Sequence, residues 1–154
     1  MALSRRYFLV AGASTAGLAG ASAVAADRCG AVLTPTESID PPPEYLPGAP
    51  IRSSFLEDGP GQRMRIFGRA LTTTCEPLGG ARLDFWQTND QGIYDAAGFR
   101  FRGAQQTDQN GGFRLETIMP GPYNGPRHIH FLLATRIGNQ PQPLMLSAGI
   151  FFPT

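Results

Sequence analysis

The sequence predicts an all-β fold, a β-sandwich of mixed and antiparallel sheets, on three observations. Glycine and proline number 19 and 14 in 154 residues, a share high for a helical bundle and below that of low-complexity chains. Several segments alternate apolar and polar residues with a period of two, and no stretch beyond residue 26 sustains a capped 3.6-residue period. With 42% hydrophobic and 16% charged residues, the chain can close one core, which argues against disorder and against a second domain.

Residues 1–26 read as an export signal. A start carrying Arg5 and Arg6 leads into an acid-free apolar stretch that ends in Ala23-Val24-Ala25-Ala26, the layout of a cleavable leader. Gly12, Ser14, Thr15, Gly17, Gly20 and Ser22 interrupt that stretch and weaken it as a membrane span, so no stable anchor is expected after cleavage. Ser4-Arg5-Arg6-Tyr7-Phe8-Leu9 resembles the twin-arginine motif, a route for proteins exported already folded, which places the mature chain in the periplasm or outside the cell.

Residues 27–62 form an irregular arm with Pro41-Pro42-Pro43 at its centre, and residues 63–154 form the sandwich. In the arm, Cys29 faces an oxidising compartment together with Cys75, which permits a disulfide between them. In the sandwich, Met64, Ile66, Gly68 and Ala70 alternate with Arg63, Arg65, Phe67 and Arg69 as a half-buried strand. Ala81, Leu83 and Phe85 share a face of a second strand, and Phe113 to Ile118 follows the turn Gln109-Asn110-Gly111-Gly112. His128 to Thr135 and Leu144 to Phe152 are apolar runs bounded by proline and glycine.

All 13 basic residues are arginine and none form a run; without residues 1–26 the formal charge is −1. Nucleic acid is therefore a poor partner.

The chemistry-bearing residues are few. Both histidines sit in His128-Ile129-His130, and at about 3.3 Å per residue in a strand their backbones lie roughly 6.6 Å apart with both rings on one face, close enough to share a metal ion. No third histidine and no His-Glu-x-x-His exists for a common zinc site, and Phe131-Leu132-Leu133-Ala134-Thr135 lacks the glutamate of a cupin-like one. Oxygen donors remain. Tyr94 ends the turn after the Trp86 strand, and Tyr123 lies in the Pro120-Gly121-Pro122 loop five residues before His128. Two phenolates with two imidazoles would favour ferric iron, Fe(III), over softer or divalent ions.

The chain resembles the intradiol ring-cleavage dioxygenases, which open catechols between their hydroxyls with non-haem ferric iron. The resemblance runs from about Leu33 to the end. It rests on Leu33-Thr34-Pro35, Ile51-Arg52-Ser53-Ser54, Cys75 to Ala81, Asp84 to Tyr94, Arg102-Gly103 with Thr107-Asp108, and Thr117 to Tyr123 followed by His128-Ile129-His130-Phe131. It implies a β-sandwich, iron held by Tyr94, Tyr123, His128 and His130, and a small aromatic diol and dioxygen as substrates. It further implies that Tyr123 leaves the metal and takes a substrate proton. Relatives often form dimers or larger assemblies, and the Phe151-Phe152 end is a surface that a homo-oligomer would bury.

Three positions depart from the family pattern. Gly125 stands where an arginine often precedes the first histidine by three residues, leaving Arg127 as the nearest catalytic cation; Gly149 replaces a usual glutamine; and the chain stops at Thr154, as a shortened or partial chain would. Two other readings stay open: a catalytically impaired sandwich that binds an aromatic or a partner, and a different metalloprotein with copper or zinc on His128 and His130 alone.

Overall fold

The computed structural model describes residues 36–40, 44–135 and 144–153. The leader, Cys29 and the Leu33-Thr34-Pro35 segment lie outside these described residues. The all-β expectation holds: among the described residues six strands form two antiparallel sheets. They are β1 (Arg63–Arg69), β2 (Arg82–Trp86), β3 (Arg102–Gln106), β4 (Gly112–Ile118), β5 (His128–Thr135) and β6 (Leu144–Phe151). β1 pairs with β4, and the larger sheet runs β3-β2-β5-β6. No helix of the described residues is long and apolar enough to cross a membrane.

Strand alternation divides the larger sheet into two chemically different faces. Leu83, Phe85, Ile129 and Leu133 point into a core shared with Leu115 and Ile118 of β4, and Phe55 from the arm is buried among them. Phe85 also packs near Phe113 and Phe131, with ring centroids 5.7 and 6.2 Å away. The opposite face carries one row across all four strands, because Trp86 pairs with both Arg102 and His130, and His130 pairs with Gly149.

The segment 50–55 ties the two sheets together. Ala104 donates to the Pro50 carbonyl and Arg52 to the Ala104 carbonyl; three residues on, Glu116 donates to Ser53 and Phe55 to Glu116. This segment covers the outer edge of β3, whose backbone would otherwise be open to a further strand. Arg52 secures it with a two-pronged contact to Asp58 at 2.8 and 2.6 Å and a 2.9 Å bond from Nε to the Arg102 carbonyl.

β3 is the strand that hydrophobic periodicity does not show. Its sequence, Arg102-Gly103-Ala104-Gln105-Gln106, has almost no apolar side chains, yet its first four residues are buried. Gly103 is required where it stands, since a Cβ there would come within 2.7 Å of the Phe55 ring.

Candidate metal centre

The two histidines enter the polar face of the larger sheet from the start of β5. Their rings meet edge to face at 4.5 Å, and their Nε2 atoms stand 3.0 Å apart. His128 Nδ1 lies 2.7 Å from the Pro126 carbonyl; donation there puts the proton on Nδ1 and leaves Nε2 with a free lone pair, the tautomer a metal ligand needs. Metal–imidazole bonds of about 2.0–2.1 Å at a right angle place two nitrogens about 2.9 Å apart. The observed separation fits such a pair.

Trp86 lies nearly parallel to His130 at 5.2 Å with an 18° tilt, and Tyr45 packs on Trp86 at 5.0 Å. On the far side, His128 packs near Phe151 at 5.4 Å. A side chain on Gly149, opposite His130, would press on the Phe151 ring at 3.0 Å. Burial, and then the neighbouring His128, pulls His130 down to about 4, with Glu44 opposing. His130 is therefore neutral at physiological pH, as ligation requires.

The two tyrosines arrive on separate loops that lock together through their backbones. Gly121 donates to the Asn89 carbonyl at 2.7 Å, and the Thr88 hydroxyl donates to the Gly121 carbonyl at 3.1 Å. Gln87 fastens the root of the second loop by donating to Ile118 O and accepting from the Thr117 hydroxyl. Asn89 shapes the first loop by accepting from the amides of Gln91 and Ile93. The outcome is an edge-to-face pair of Tyr94 and Tyr123 with centroids 5.0 Å apart.

Glu44 connects the tyrosines to the histidines. The Tyr123 hydroxyl donates to its carboxylate at 2.9 Å, and the carboxylate charge acts on Tyr94, Tyr123 and His130 alike. Arg102 holds Glu44 in place by donating from its guanidinium to the Glu44 carbonyl, and it donates also to the Asp95 carbonyl at 3.1 Å. The guanidinium carbon sits 5.7 Å from the Tyr94 ring centre. Burial, then Glu44, raises Tyr94 above the ordinary phenol range against the opposing pull of Arg102. For Tyr123 the hydrogen bond to Glu44 is the main cause of a rise.

The sequence singles out Tyr94, Tyr123, His128 and His130, and the structure brings each pair together within one neighbourhood. Arg127 is elsewhere in its effect: its Nη1 donates to the Pro120 carbonyl at 3.1 Å, and its own carbonyl accepts from Phe152, so it fastens the Tyr123 loop to β5. Glu44 is the residue that sequence reading assigns no part. Its one signal is its place beside Tyr45, just after Pro41-Pro42-Pro43 in the arm. Cys75 carries no free thiol, and Cys29, the partner expected for it, lies outside the described residues.

The donor set tests whether a metal fits. Among the described residues no three of His, Cys, Asp and Glu gather as ligands, and beside the two imidazoles the phenol oxygens of Tyr94 and Tyr123 are further donors that could hold an ion. Buried side-chain atoms without a hydrogen-bond partner are rare in folded proteins and call for an ion, a ligand or water. Among the described residues they include Trp86 Nε1, Tyr94 Oη, Arg102 Nε and His130 Nδ1, all in this neighbourhood. A hard cation bonded to the Tyr94 oxygen would satisfy one of them directly, and the residues present therefore fit ferric iron.

Comparison with known proteins agrees with this chemistry. The sequence profile of the family described as Dioxygenase matches residues 42–146. The chain belongs to the intradiol ring-cleavage dioxygenase family. Similar curated relatives are a hydroxyquinol 1,2-dioxygenase of a Rhizobium species, 28% identical over 68% of this chain and 47% of the relative, and a catechol 1,2-dioxygenase of Candida albicans, 32% identical over 64% of this chain and 38% of the relative. The chain thus spans less than half the length of these two relatives. Among solved structures, the dioxygenase domain of a dioxygenase carbohydrate-binding protein fusion from a Streptomyces species matches at 38% identity and a TM-score of 0.69, over 78% of this chain and 76% of that one. A chlorocatechol dioxygenase of Rhodococcus opacus matches at 26% identity and a TM-score of 0.64, over 85% and 62%. By their names the two curated relatives are dioxygenases of hydroxyquinol and of catechol, and hence oxidoreductases.

Proposed function

We propose that this chain is an exported ferric intradiol dioxygenase that opens a catechol-type ring with dioxygen to a muconate-type diacid. The observation that carries the reading is the approach of two imidazole Nε2 atoms to 3.0 Å beside a buried tyrosine hydroxyl with no hydrogen-bond partner. Tyr94, Tyr123, His128 and His130 would hold the iron, which supplies Lewis acidity and a template for the diol.

The two tyrosines divide the proton work according to their surroundings. Tyr123 has an acceptor at Glu44, so its Oη can take a diol proton and remain hydrogen-bonded as a neutral phenol. Tyr94 has no such acceptor among the described residues and would hold the iron as a phenolate. Trp86, stacked on His130, keeps that ring oriented and keeps water from its face. Arg127 acts through the Pro120 carbonyl on the Tyr123 loop, as a positioning residue. Export by the twin-arginine route, read from Ser4 to Leu9, would let the iron be inserted before the folded chain crosses the membrane.

A second reading has its own observation. Gly125, where relatives often place an arginine, has φ of +138° and open space around it, so no cation from that position reaches the site, and a chain impaired in catalysis but able to bind a diol would look the same. Oxygen uptake by the iron-loaded protein with catechol separates the two. Consumption of one dioxygen per catechol, with a muconate-type product, supports the enzyme; a loaded protein that binds catechol and consumes no oxygen is the binding module.

A further inference from the structure

Arg102 is a buried cation with no anion bonded to it. Only 2% of the residue is exposed, and among the described residues its guanidinium hydrogen-bonds to neutral acceptors alone. Nη1 donates to the Glu44 carbonyl, Nη2 donates to the Asp95 carbonyl at 3.1 Å, and Nε has no partner. The carboxylates of those two residues are turned to other donors. That of Glu44 accepts from the Tyr123 hydroxyl at 2.9 Å, and that of Asp95 from the amides of Ala97, Gly98 and Arg100. Tyr94 is the group left beside the charge. The guanidinium carbon stands 5.7 Å from its ring centre, within reach of a cation–π contact, and its hydroxyl is buried without a partner. A buried guanidinium that lacks an anion and a buried phenol oxygen that lacks a hydrogen bond thus belong to neighbouring side chains, and a phenolate at Tyr94 would answer both.

We infer that Arg102 is a positioning residue of the proposed centre, which holds a fixed positive charge over the Tyr94 ring and serves the Tyr94 phenolate as its counter-ion; the inference rests on the dioxygenase reading above. The cation is not free to drift from the ring. Its bond to the Asp95 carbonyl ties it to the residue next to Tyr94. Its backbone is held in β3 by the pairing with Trp86 and by Arg52, whose Nε donates to the Arg102 carbonyl at 2.9 Å. Trp86 separates it from the imidazoles, because β3 lies two strand spacings from β5, about 9–10 Å at the backbone. Burial pulls Arg102 below the ordinary arginine range, and of the charges that oppose this the largest is that of Tyr94, ahead of Asp95 and Glu44. A positive charge nearer to the phenolate than to the metal lowers the energy of the phenolate's electrons. Transfer of one of them to ferric iron therefore takes more energy with Arg102 in place than without it.

The test is the tyrosinate-to-iron charge-transfer band of the iron-loaded protein, measured without substrate in the wild type, Arg102→Gln and Arg102→Lys. The first variant removes the charge and keeps a donor; the second keeps the charge. Arg102→Gln should move the band to longer wavelength by at least about 10 nm, and Arg102→Lys should leave it within about 5 nm of the wild type. A band that stays in place in Arg102→Gln, or moves equally in both variants, overturns the inference, since a residue that only clamps carbonyls would give one of those results. If near-ultraviolet circular dichroism shows either variant unfolded, Tyr123→Phe and Tyr94→Phe decide instead. The band of Tyr123→Phe, which retains Tyr94 beside the cation, should lie at shorter wavelength than that of Tyr94→Phe; equal wavelengths or the reverse order overturns the inference. Each of these failures, with the band present in the wild type, leaves the dioxygenase reading intact. A folded, loaded wild type without the band overturns both.

Discussion

Gly92 and Gly121 meet backbone to backbone. A methyl group on Gly92 would strike the Pro122 carbonyl, and one on Gly121 would strike the Gly92 amide and the Asp90 carbonyl. This contact leaves room for no side chain, and it is what sets Tyr94 beside Tyr123. Gly92 also has φ of +83°, in the left-handed region that a side chain disfavours. Gly92→Ala and Gly121→Ala should each cost about 2 kcal/mol or more in urea unfolding, by overpacking and strain. Both should lower iron content at temperatures where the variant is still folded; a variant of native stability and full iron content would mean that the loops tolerate separation.

Tyr94 and Tyr123 should respond differently to loss of the hydroxyl. Tyr94 Oη is buried without a partner, so Tyr94→Phe should leave the metal-free protein as stable as before or slightly more so. Tyr123→Phe leaves the Glu44 carboxylate without its donor and should cost about 1 kcal/mol. Iron affinity should fall at least about tenfold in Tyr94→Phe. Paired denaturation and iron titrations check this, and full iron affinity in Tyr94→Phe would remove that residue from the ligand set.

Acid should destabilise the metal-free protein through His130. Its folded pKa is about 4 against an ordinary 6.5, with burial the main cause. The unfolded chain therefore binds a proton that the folded one refuses, so the contribution is complete above about pH 6.5 and is lost as pH falls toward 4, by up to about 3 kcal/mol. Urea midpoints measured across that window should flatten in His130→Gln, and an unchanged slope would show that other groups control the acid limb.

Much of this architecture is legible in the residues and some is not, for identifiable reasons. Alternation reveals β1 and β2, the turn Gln109-Asn110-Gly111-Gly112 marks the start of β4, and apolar runs bounded by proline and glycine mark β5 and β6. β3 escapes because Arg102 and Gln105 are buried polar residues, and Arg102 finds its partners in carbonyls supplied by other segments. His128 and His130 declare their shared face by their spacing, since strand geometry alone places both rings together. Glu44 is invisible for the opposite reason: it lies 79 residues from Tyr123, on an arm whose path is set by long-range contacts such as the Arg102 clamp.

The departure at Gly125 also has a structural consequence. With φ of +138° and an exposed neighbour, Asn124, at +48°, the loop is built on backbone conformations that arginine disfavours. Gly125→Arg should therefore lower stability by about 1 kcal/mol and leave kcat/KM for catechol no higher than wild type. A rise in kcat/KM with stability retained would show that the loop can re-form to present a cation.

Export can be checked independently of catalysis. Replacing Arg5 and Arg6 together by lysine should hold the full chain in the cytoplasm, as fractionation would show, if Ser4 to Leu9 is a twin-arginine signal. Unchanged export would assign the leader to another route.

In the proposed reading Tyr94, Tyr123, His128 and His130 form one ferric centre. The visible absorption spectrum of the purified protein loaded with ferric iron, before and after anaerobic addition of catechol, tests it most directly. Tyrosinate on ferric iron gives a charge-transfer band, and the account predicts a coloured protein whose band moves to longer wavelength with catechol and is absent in Tyr94→Phe/Tyr123→Phe. A folded, iron-containing protein without that band would contradict it.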